Sequence, residues 1–135
     1  MYKNILVPII FDEKHDSAAS YRAARALADV DAAFTVLHVM ESIPAYVVND
    51  IPFELLANSR KEVALALAQS ASALPGASTE LVSGHAGRVI VDYADQHDVD
   101  CIVIASHVPG LANILLGSTA DRVVRHAKCS VHVIR

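Results

Sequence analysis

The stretch Asn4-Ile5-Leu6-Val7-Pro8-Ile9-Ile10 decides the fold. It is short, almost entirely apolar and rich in β-branched residues, which is typical of a strand buried on both faces of a sheet. A second apolar run, Phe34 to Met40, is separated from it by a segment with helical spacing, Ala18 to Asp29. Apolar strands that alternate with amphipathic helices predict a parallel sheet covered by helices on both faces.

The same alternation continues to the end of the chain. Further helices are predicted at Ile51–Ala73, Arg88–His97 and Ser118–His126, and further strands at Thr79–Val82, Asp100–Ala105 and Ser130–Ile134. The segment from Glu41 to Asn49 is interpreted as a loop. The order β-α-β-α-β-α-β-α-β predicts a doubly wound α/β fold with right-handed crossovers. Because the 135 residues contain no linker and no internal repeat, we expect one domain, residues 1–135.

Composition argues against several classes of protein. The chain is 53% hydrophobic and 19% charged, which excludes disorder, and its formal net charge of −4 argues against nucleic acid as a partner. No apolar run reaches the roughly 18 to 20 residues of a membrane span. No signal peptide is visible, so a cytoplasmic protein is expected. The spacing of the seven histidines and two cysteines predicts no metal site, and Cys101 and Cys129 are expected to be buried free thiols.

A ligand site is expected beyond the C-terminal strand ends, where the strand order reverses. If the first strand is central, the loops Pro8–Asp16 and Ser106–Ser118 meet at that point. The second loop leads into Gly117-Ser118-Thr119, which opens a helix, and the free N–H groups and dipole of a helix start suit a phosphate. The alternative interpretation is an ordinary capping pair of Ser118 and Asp121. The sequence contains neither a Walker P-loop nor a Gly-x-Gly-x-x-Gly motif.

Several segments, in the correct order, resemble the universal stress protein family over the whole length of the chain. These segments are Asn4–Pro8, Leu37–Val39, Ile102–His107, Leu115–Ser118 and Arg122–Arg135. The resemblance implies a five-stranded parallel sheet in the order 3-2-1-4-5. It also implies a site for ATP or AMP, which many members bind through the motif Gly-x2-Gly-x9-Gly-[Ser/Thr].

The chain departs from that motif. Ala105 stands in place of the first glycine, Val108-Pro109-Gly110 offers no clean match to the second, and only Gly117-Ser118 matches outright. This short Ala-Ser-His-x-Pro form resembles the branch represented by the enterobacterial F and G types, which bind adenine nucleotide. The family commonly has an acid where this chain has Ile10, and the nearest acid is Asp12. This difference weakens the case for Mg²⁺ as a cofactor.

Carried over residue by residue, the resemblance implies a set of nucleotide contacts. The set comprises Pro8, Ile9, Val39, Ala105, Ser106, His107, Gly117, Ser118, Thr119 and Ala120. Pro8 and Ile9 would lie along the adenosine, and Val39 would offer its backbone N–H and C=O to the adenine edge. Ser106 and His107 would approach the ribose and phosphates, and the helix start would hold the phosphates. No catalytic residue is predicted.

The resemblance implies an adenine-nucleotide-binding protein that acts in stress response or regulation by binding a partner protein. Two alternatives stay open: a slow ATP hydrolase or autophosphorylating enzyme, and a scaffolding member without nucleotide. The first would need a placed acid for Mg²⁺, and the survival of Gly117-Ser118-Thr119 counts against the second. In the implied order, Ser130–Ile134 is an apolar edge strand, which predicts a homodimer formed through this strand.

Overall fold

The computed structural model describes residues 1–10, 17–41, 50–106 and 117–135. In these ranges the strands are β1 (Tyr2–Pro8), β2 (Ala28–Met40), β3 (Ser78–Ser83), β4 (Cys101–Ala105) and β5 (Ser130–Ile134). The helices are α1 (Ser17–Leu27), α2 (Phe53–Ala71), α3 (Ala86–Gln96) and α4 (Ser118–His126). Along the described chain, no helix combines the length and the apolar character needed to cross a membrane.

The five strands form one parallel sheet in the order β3-β2-β1-β4-β5. In the middle of this sheet, Pro8 of β1 lies opposite Leu37 of β2, and Ile5 lies opposite Cys101 of β4. The chain runs outward from β1 to β3 on one side and then crosses to β4 and β5 on the other. The predicted doubly wound fold and the implied strand order are confirmed.

Helices cover both faces of the sheet. On one face, Ile5 of β1 belongs to a buried cluster with Tyr21 of α1 and Leu67 of α2. On the other face, Leu6 belongs to a second cluster with Ile90 of α3. Adjacent residues of β1 therefore enter two different hydrophobic cores, which explains why this strand has no polar alternation.

The first strand is shorter at its C-terminal end than the sequence predicts. It ends at Pro8 instead of Ile10. The Ile9 N–H still donates to the Leu37 carbonyl over 2.8 Å, but the Ile9 carbonyl oxygen lies 2.9 Å from the His38 ring. A side chain thus occupies the acceptor that a continued ladder would use, and the regular pairing stops there.

The second strand begins at Ala28, well before the predicted Phe34, and the first helix is correspondingly shorter. Ala28 pairs with Tyr2 at the start of β1. Asp29, which the helical spacing placed in the helix, accepts a hydrogen bond from the amino group of Met1. Pairing with distant residues therefore overrides local helical spacing here. The other element ends agree with the prediction to within two residues.

Candidate functional site

A cleft of about 740 Å³ opens at the carboxyl ends of the central strands. Its walls include Pro8 at the end of β1, Val39 of β2, Ala105 of β4 and the first turn of α4. The chain leaves β1 for α1 on one face of the sheet, whereas after β4 it reaches α4 on the other face. The helices that follow these two strands therefore lie on opposite faces of the sheet, which is the arrangement expected at the switch point of a doubly wound sheet.

Most of the predicted site residues meet in this cleft. Those that line it are Pro8, Ile9, Val39, Ala105, Gly117, Ser118, Thr119 and Ala120. Ser106 is different, because its side chain is buried and contributes nothing to the described cleft wall. His107 and Asp12 lie outside the described residues, as does most of the predicted loop from Glu41 to Asn49.

One end of the cleft is formed by the amino terminus of α4. Gly117 precedes the helix in an extended conformation, and its carbonyl accepts the first helical hydrogen bond, from the Asp121 N–H over 2.8 Å. The N–H groups of Ser118, Thr119 and Ala120 consequently have no partner within the helix. They carry the positive end of the helix dipole, which favours an anion.

The alternative interpretation, a capping pair of Ser118 and Asp121, does not hold in the structure. In the described chain no side chain caps the amino end of α4, and both oxygens of the Asp121 carboxylate lie 3.0 Å from Nε of Arg125. Asp121 lies in the first turn of α4, and this ion pair connects its carboxylate to Arg125 one turn further along the helix. Among the described residues no side chain caps the first-turn N–H groups of α4, so these groups are available to a ligand or to water.

The other end of the cleft has a backbone edge at Val39. The Leu37 carbonyl accepts a hydrogen bond from the Ile9 N–H, on the β1 side of the strand. The Met40 carbonyl accepts one from the Gly84 N–H, on the β3 side. Alternate residues of a parallel strand direct their N–H and C=O groups to the same neighbour. Val39 therefore directs one donor and one acceptor toward the β1 side, past the point where β1 ends.

Apolar side chains form most of the wall between these two polar ends. They come from the residue after β1, from β2 and β4, and from two helices: Ile9, Leu37, Ile104, Val63 and Ile90. A concave, largely apolar surface with a few convergent polar groups is typical of small-molecule sites. The flat apolar faces of a heterocyclic base fit such a surface, while the polar groups at its ends fix the orientation.

Two polar side chains of the cleft were missed by the sequence analysis. His38 lines the cleft, and its Nδ1 lies 2.9 Å from the Ile9 carbonyl oxygen. Glu41 also lines the cleft and is exposed. A signal was present for Glu41, because it directly follows β2, whose carboxyl end faces the switch point. His38 lies within the apolar run of β2, and nothing in the sequence links it to Ile9.

The cysteines lie apart from the cleft wall. Both are free thiols, and burial raises the pKa of Cys101 to about 11 and raises the pKa of Cys129 as well. Protonated thiols are poor nucleophiles and poor metal ligands. Among the described residues, no group of three or more His, Cys, Asp or Glu side chains is placed to hold a metal ion.

Comparisons with known proteins agree with this architecture. A sequence model of the universal stress protein family matches residues 1–135. Universal stress protein G of Salmonella typhimurium is 30% identical over 142 residues, which cover 100% of both chains. The solved structure of universal stress protein UspA from Lactobacillus plantarum superposes with a TM-score of 0.77 at 31% identity, over 99% of this chain and 98% of the other.

A more distant solved structure is the universal stress protein from Archaeoglobus fulgidus in complex with dAMP. It has a TM-score of 0.66 at 23% identity and covers 99% of this chain and 98% of its own. This likeness concerns the fold. The match over residues 1–135, together with the strand order, establishes that this chain belongs to the universal stress protein family.

Proposed function

We propose that the protein binds an adenine nucleotide, ATP or AMP, in the cleft between β1 and β4, and acts in stress response or regulation by binding a partner protein. The observation that carries this proposal is that one cleft contains both the Val39 backbone edge and the uncapped amino end of α4. The dAMP complex of a family member with the same fold supports it.

The adenine end of the proposal depends on Val39. Adenine presents an acceptor and a donor on adjacent atoms of its edge, and the Val39 N–H and C=O offer the complementary pair. Pro8 and Ile9 lie along the same wall and would cover the adenosine. Backbone groups recognise the base without a charged side chain, which suits the apolar surroundings.

The phosphate end depends on α4. Ser118, Thr119 and Ala120 line the cleft and supply three N–H groups at the positive end of the helix dipole. The hydroxyl groups of Ser118 and Thr119 add donors. The site offers oriented dipoles instead of a lysine, so binding of moderate strength is expected.

Turnover of ATP is the second candidate function, and the cleft favours it less. A hydrolase needs an acid that holds Mg²⁺ and a group that positions water. Ile10 lies in the cleft, 50% exposed, where the family commonly has an acid. Glu41 is the one carboxylate in the described cleft wall, and it lies at the exposed rim. We therefore propose binding without significant turnover, and little dependence on Mg²⁺.

Assembly is the remaining part of the proposal. β5 is an edge of the described sheet, and Val131 and Val133 are half-buried in one chain. A second copy that pairs with this strand would cover the edge. We propose a homodimer of single-domain chains in the cytoplasm, with an unidentified protein as the regulatory partner.

The test is calorimetric titration of the purified protein with ATP, ADP and AMP, together with identification of any nucleotide released when the protein is denatured. The matched variants are Ser118→Glu and Ser118→Gln, at an exposed position. A carboxylate there stabilises the helix start yet repels phosphate, so we expect Ser118→Glu to lose AMP binding while remaining folded. Ser118→Gln has a similar size without the charge and should bind AMP. Absence of heat at millimolar nucleotide with folded, nucleotide-free protein contradicts the proposal.

A further inference from the structure

Ser106 is the first residue after β4, and its side chain is 4% exposed. Its N–H donates to the Ile134 carbonyl over 2.7 Å, directly after the pair formed by Ala105 and Ile134. This bond extends the contact between β4 and β5 by one residue. The sheet therefore fixes the backbone of Ser106, and with it the region in which its hydroxyl group lies.

The Ser106 hydroxyl is bonded to the residue that starts the phosphate end of the cleft. Its Oγ accepts a hydrogen bond from the Gly117 N–H over 3.3 Å. The Gly117 carbonyl accepts from Asp121, the first bond of α4. Gly117 is thus held from two sides, with its N–H bound to the end of the sheet and its C=O bound to the helix.

We propose that Ser106 is a positioning residue that sets the direction of the α4 amino end toward the phosphate of a bound nucleotide without touching the nucleotide. This inference rests on the proposed function. It replaces the ligand contact that family resemblance implied for Ser106, because the side chain is buried while its neighbour Ala105 lines the cleft.

The physical reason is the directionality of hydrogen bonds. A bond weakens steeply as its geometry departs from linear, and bonds to a charged acceptor are the strongest that a backbone N–H makes. The three N–H groups after Gly117 move with it, since they belong to the same helical turn. An acceptor fixed by the sheet therefore stabilises the one orientation in which these groups converge on the cleft.

A second buried serine provides the matched control. Ser20 of α1 is fully buried, and its hydroxyl has no hydrogen-bond partner in the described chain. A buried hydroxyl without a partner costs free energy, so Ser20→Ala is expected to leave the fold intact or to stabilise it. Ser106→Ala removes the same atom from a comparably buried place, but there the hydroxyl is the acceptor for Gly117.

The experiment measures the affinities of AMP and adenosine by calorimetry in four proteins: wild type, Ser106→Ala, Ser106→Thr and Ser20→Ala. We expect Ser106→Ala to weaken AMP binding by roughly tenfold, which is the change in affinity expected from the loss of one hydrogen bond. Adenosine has no phosphate, so its affinity should stay close to that of wild type. Ser106→Thr retains the hydroxyl and should restore AMP binding, and Ser20→Ala should change neither ligand.

Hydrogen exchange of the Gly117 amide in the nucleotide-free protein gives a readout that does not involve ligand. Ser106→Ala should speed this exchange, whereas Ser20→Ala should not. If the added methyl group of Ser106→Thr lowers the melting temperature, the exchange rate at Gly117 and the comparison of Ser106→Ala with Ser20→Ala still test the proposal.

Four results would overturn the proposal. Equal losses of AMP and adenosine in Ser106→Ala would show a general packing role or a direct contact with the nucleoside. An unchanged AMP affinity, or unchanged exchange at Gly117, would show that the hydroxyl does not orient the helix. If the wild type binds neither ligand, the proposed function fails and this inference fails with it. If the wild type binds AMP but Ser106→Ala does not lose AMP affinity selectively over adenosine, this inference is refuted while the proposed function stands.

Discussion

The Nδ1 atom of His38 lies 2.9 Å from the carbonyl oxygen of Ile9. Because a carbonyl oxygen only accepts, Nδ1 carries the proton and donates it. The bond joins the side chain of β2 to the backbone that follows β1, at the wall where the adenosine is proposed to lie. It holds Ile9 where regular strand pairing has already stopped.

Replacement of His38 should therefore disturb the cleft wall along which the adenosine is proposed to lie. We expect His38→Ala to lower AMP affinity by about fivefold, in line with the loss of one hydrogen bond of roughly 1 kcal/mol. His38→Asn places an N–H donor one bond from Cγ, as histidine does, and should recover much of the affinity. The comparison is made by calorimetry, with His126→Ala at the exposed end of α4 as the control. Equal affinities of wild type and His38→Ala would show that the bond does not shape the cleft.

Close contact between α3 and α4 fixes the helix that supplies the phosphate end. A Cβ atom at Gly87 would lie 2.7 Å from Cδ and 3.0 Å from Cβ of Arg122. Gly87→Ala should therefore force the helices apart and destabilise the protein by about 1–2 kcal/mol, although alanine favours a helix over glycine by roughly 1 kcal/mol. The measurement is the free energy of unfolding in urea.

A double-variant cycle tests the cause. Arg122→Ala removes the atom closest to the new methyl group, so the double variant Gly87→Ala/Arg122→Ala should recover more than half of the loss. If the two substitutions are simply additive, the contact with Arg122 is not what makes glycine necessary.

Stability at alkaline pH should depend on the buried thiol of Cys101. Burial raises its pKa from an ordinary value of 9.0 to about 11. Between these values the unfolded chain loses the thiol proton while the folded chain keeps it, so ionisation favours unfolding. This contribution to stability is intact below pH 9 and is lost as the pH rises to 11. We expect the unfolding free energy of wild type to fall more steeply over this range than that of Cys101→Ala. If the unfolding free energies of wild type and Cys101→Ala fall in parallel as the pH rises, the raised pKa of Cys101 is contradicted.

The sequence predicted the parts of the fold that depend on local pattern. The apolar run around Leu6 identified a central strand, and Gly117-Ser118-Thr119 identified the start of α4. The start of β2 was missed, because alanines and aspartates near Ala28 have helical spacing and become a strand only by pairing with Tyr2. The secondary structure of such segments depends on tertiary contacts, which a local sequence pattern does not show.

The candidate site was likewise predictable only where topology or local pattern determines it. The closeness of the carboxyl ends of β1 and β4 followed from topology, which makes these two strands neighbours in the sheet. The bond from Gly117 to Ser106 did not follow, since sequence spacing alone does not distinguish a serine that touches ligand from one that supports the backbone. Burial of Ser106 in the structure makes that distinction.

The proposed homodimer has a test at one backbone position. The Ile134 carbonyl accepts from Ser106 on the β4 side, so by alternation the N–H of Val133 points away from β4, toward the free edge. Val133→Pro removes that outward donor and leaves the bonds to β4 in place. Light scattering at micromolar concentration should give a dimer for wild type and a monomer for Val133→Pro. His132→Pro, which interrupts the β4 side, should instead lower the melting temperature. A monomeric wild type would refute the dimer.

Nucleotide binding should depend little on Mg²⁺. Ile10 is exposed in the cleft and cannot coordinate a cation, whereas Mg²⁺ commonly takes a carboxylate in addition to phosphate oxygens and water. ATP affinity should therefore change little between Mg²⁺ and EDTA in wild type, and ATP turnover should be negligible. Ile10→Asp should introduce a marked dependence on Mg²⁺, because a carboxylate close to phosphates repels them unless a cation lies between. The measurement is ATP affinity by calorimetry in both buffers.

Two other acids determine how the outcome is interpreted. Glu41 lines the cleft, and Asp12 lies outside the described residues. If EDTA abolishes ATP binding by wild type, the prediction is wrong, and Glu41→Gln and Asp12→Asn then show which carboxylate holds the metal. If wild type is indifferent to EDTA and both variants bind ATP at least as well, neither acid serves a cation.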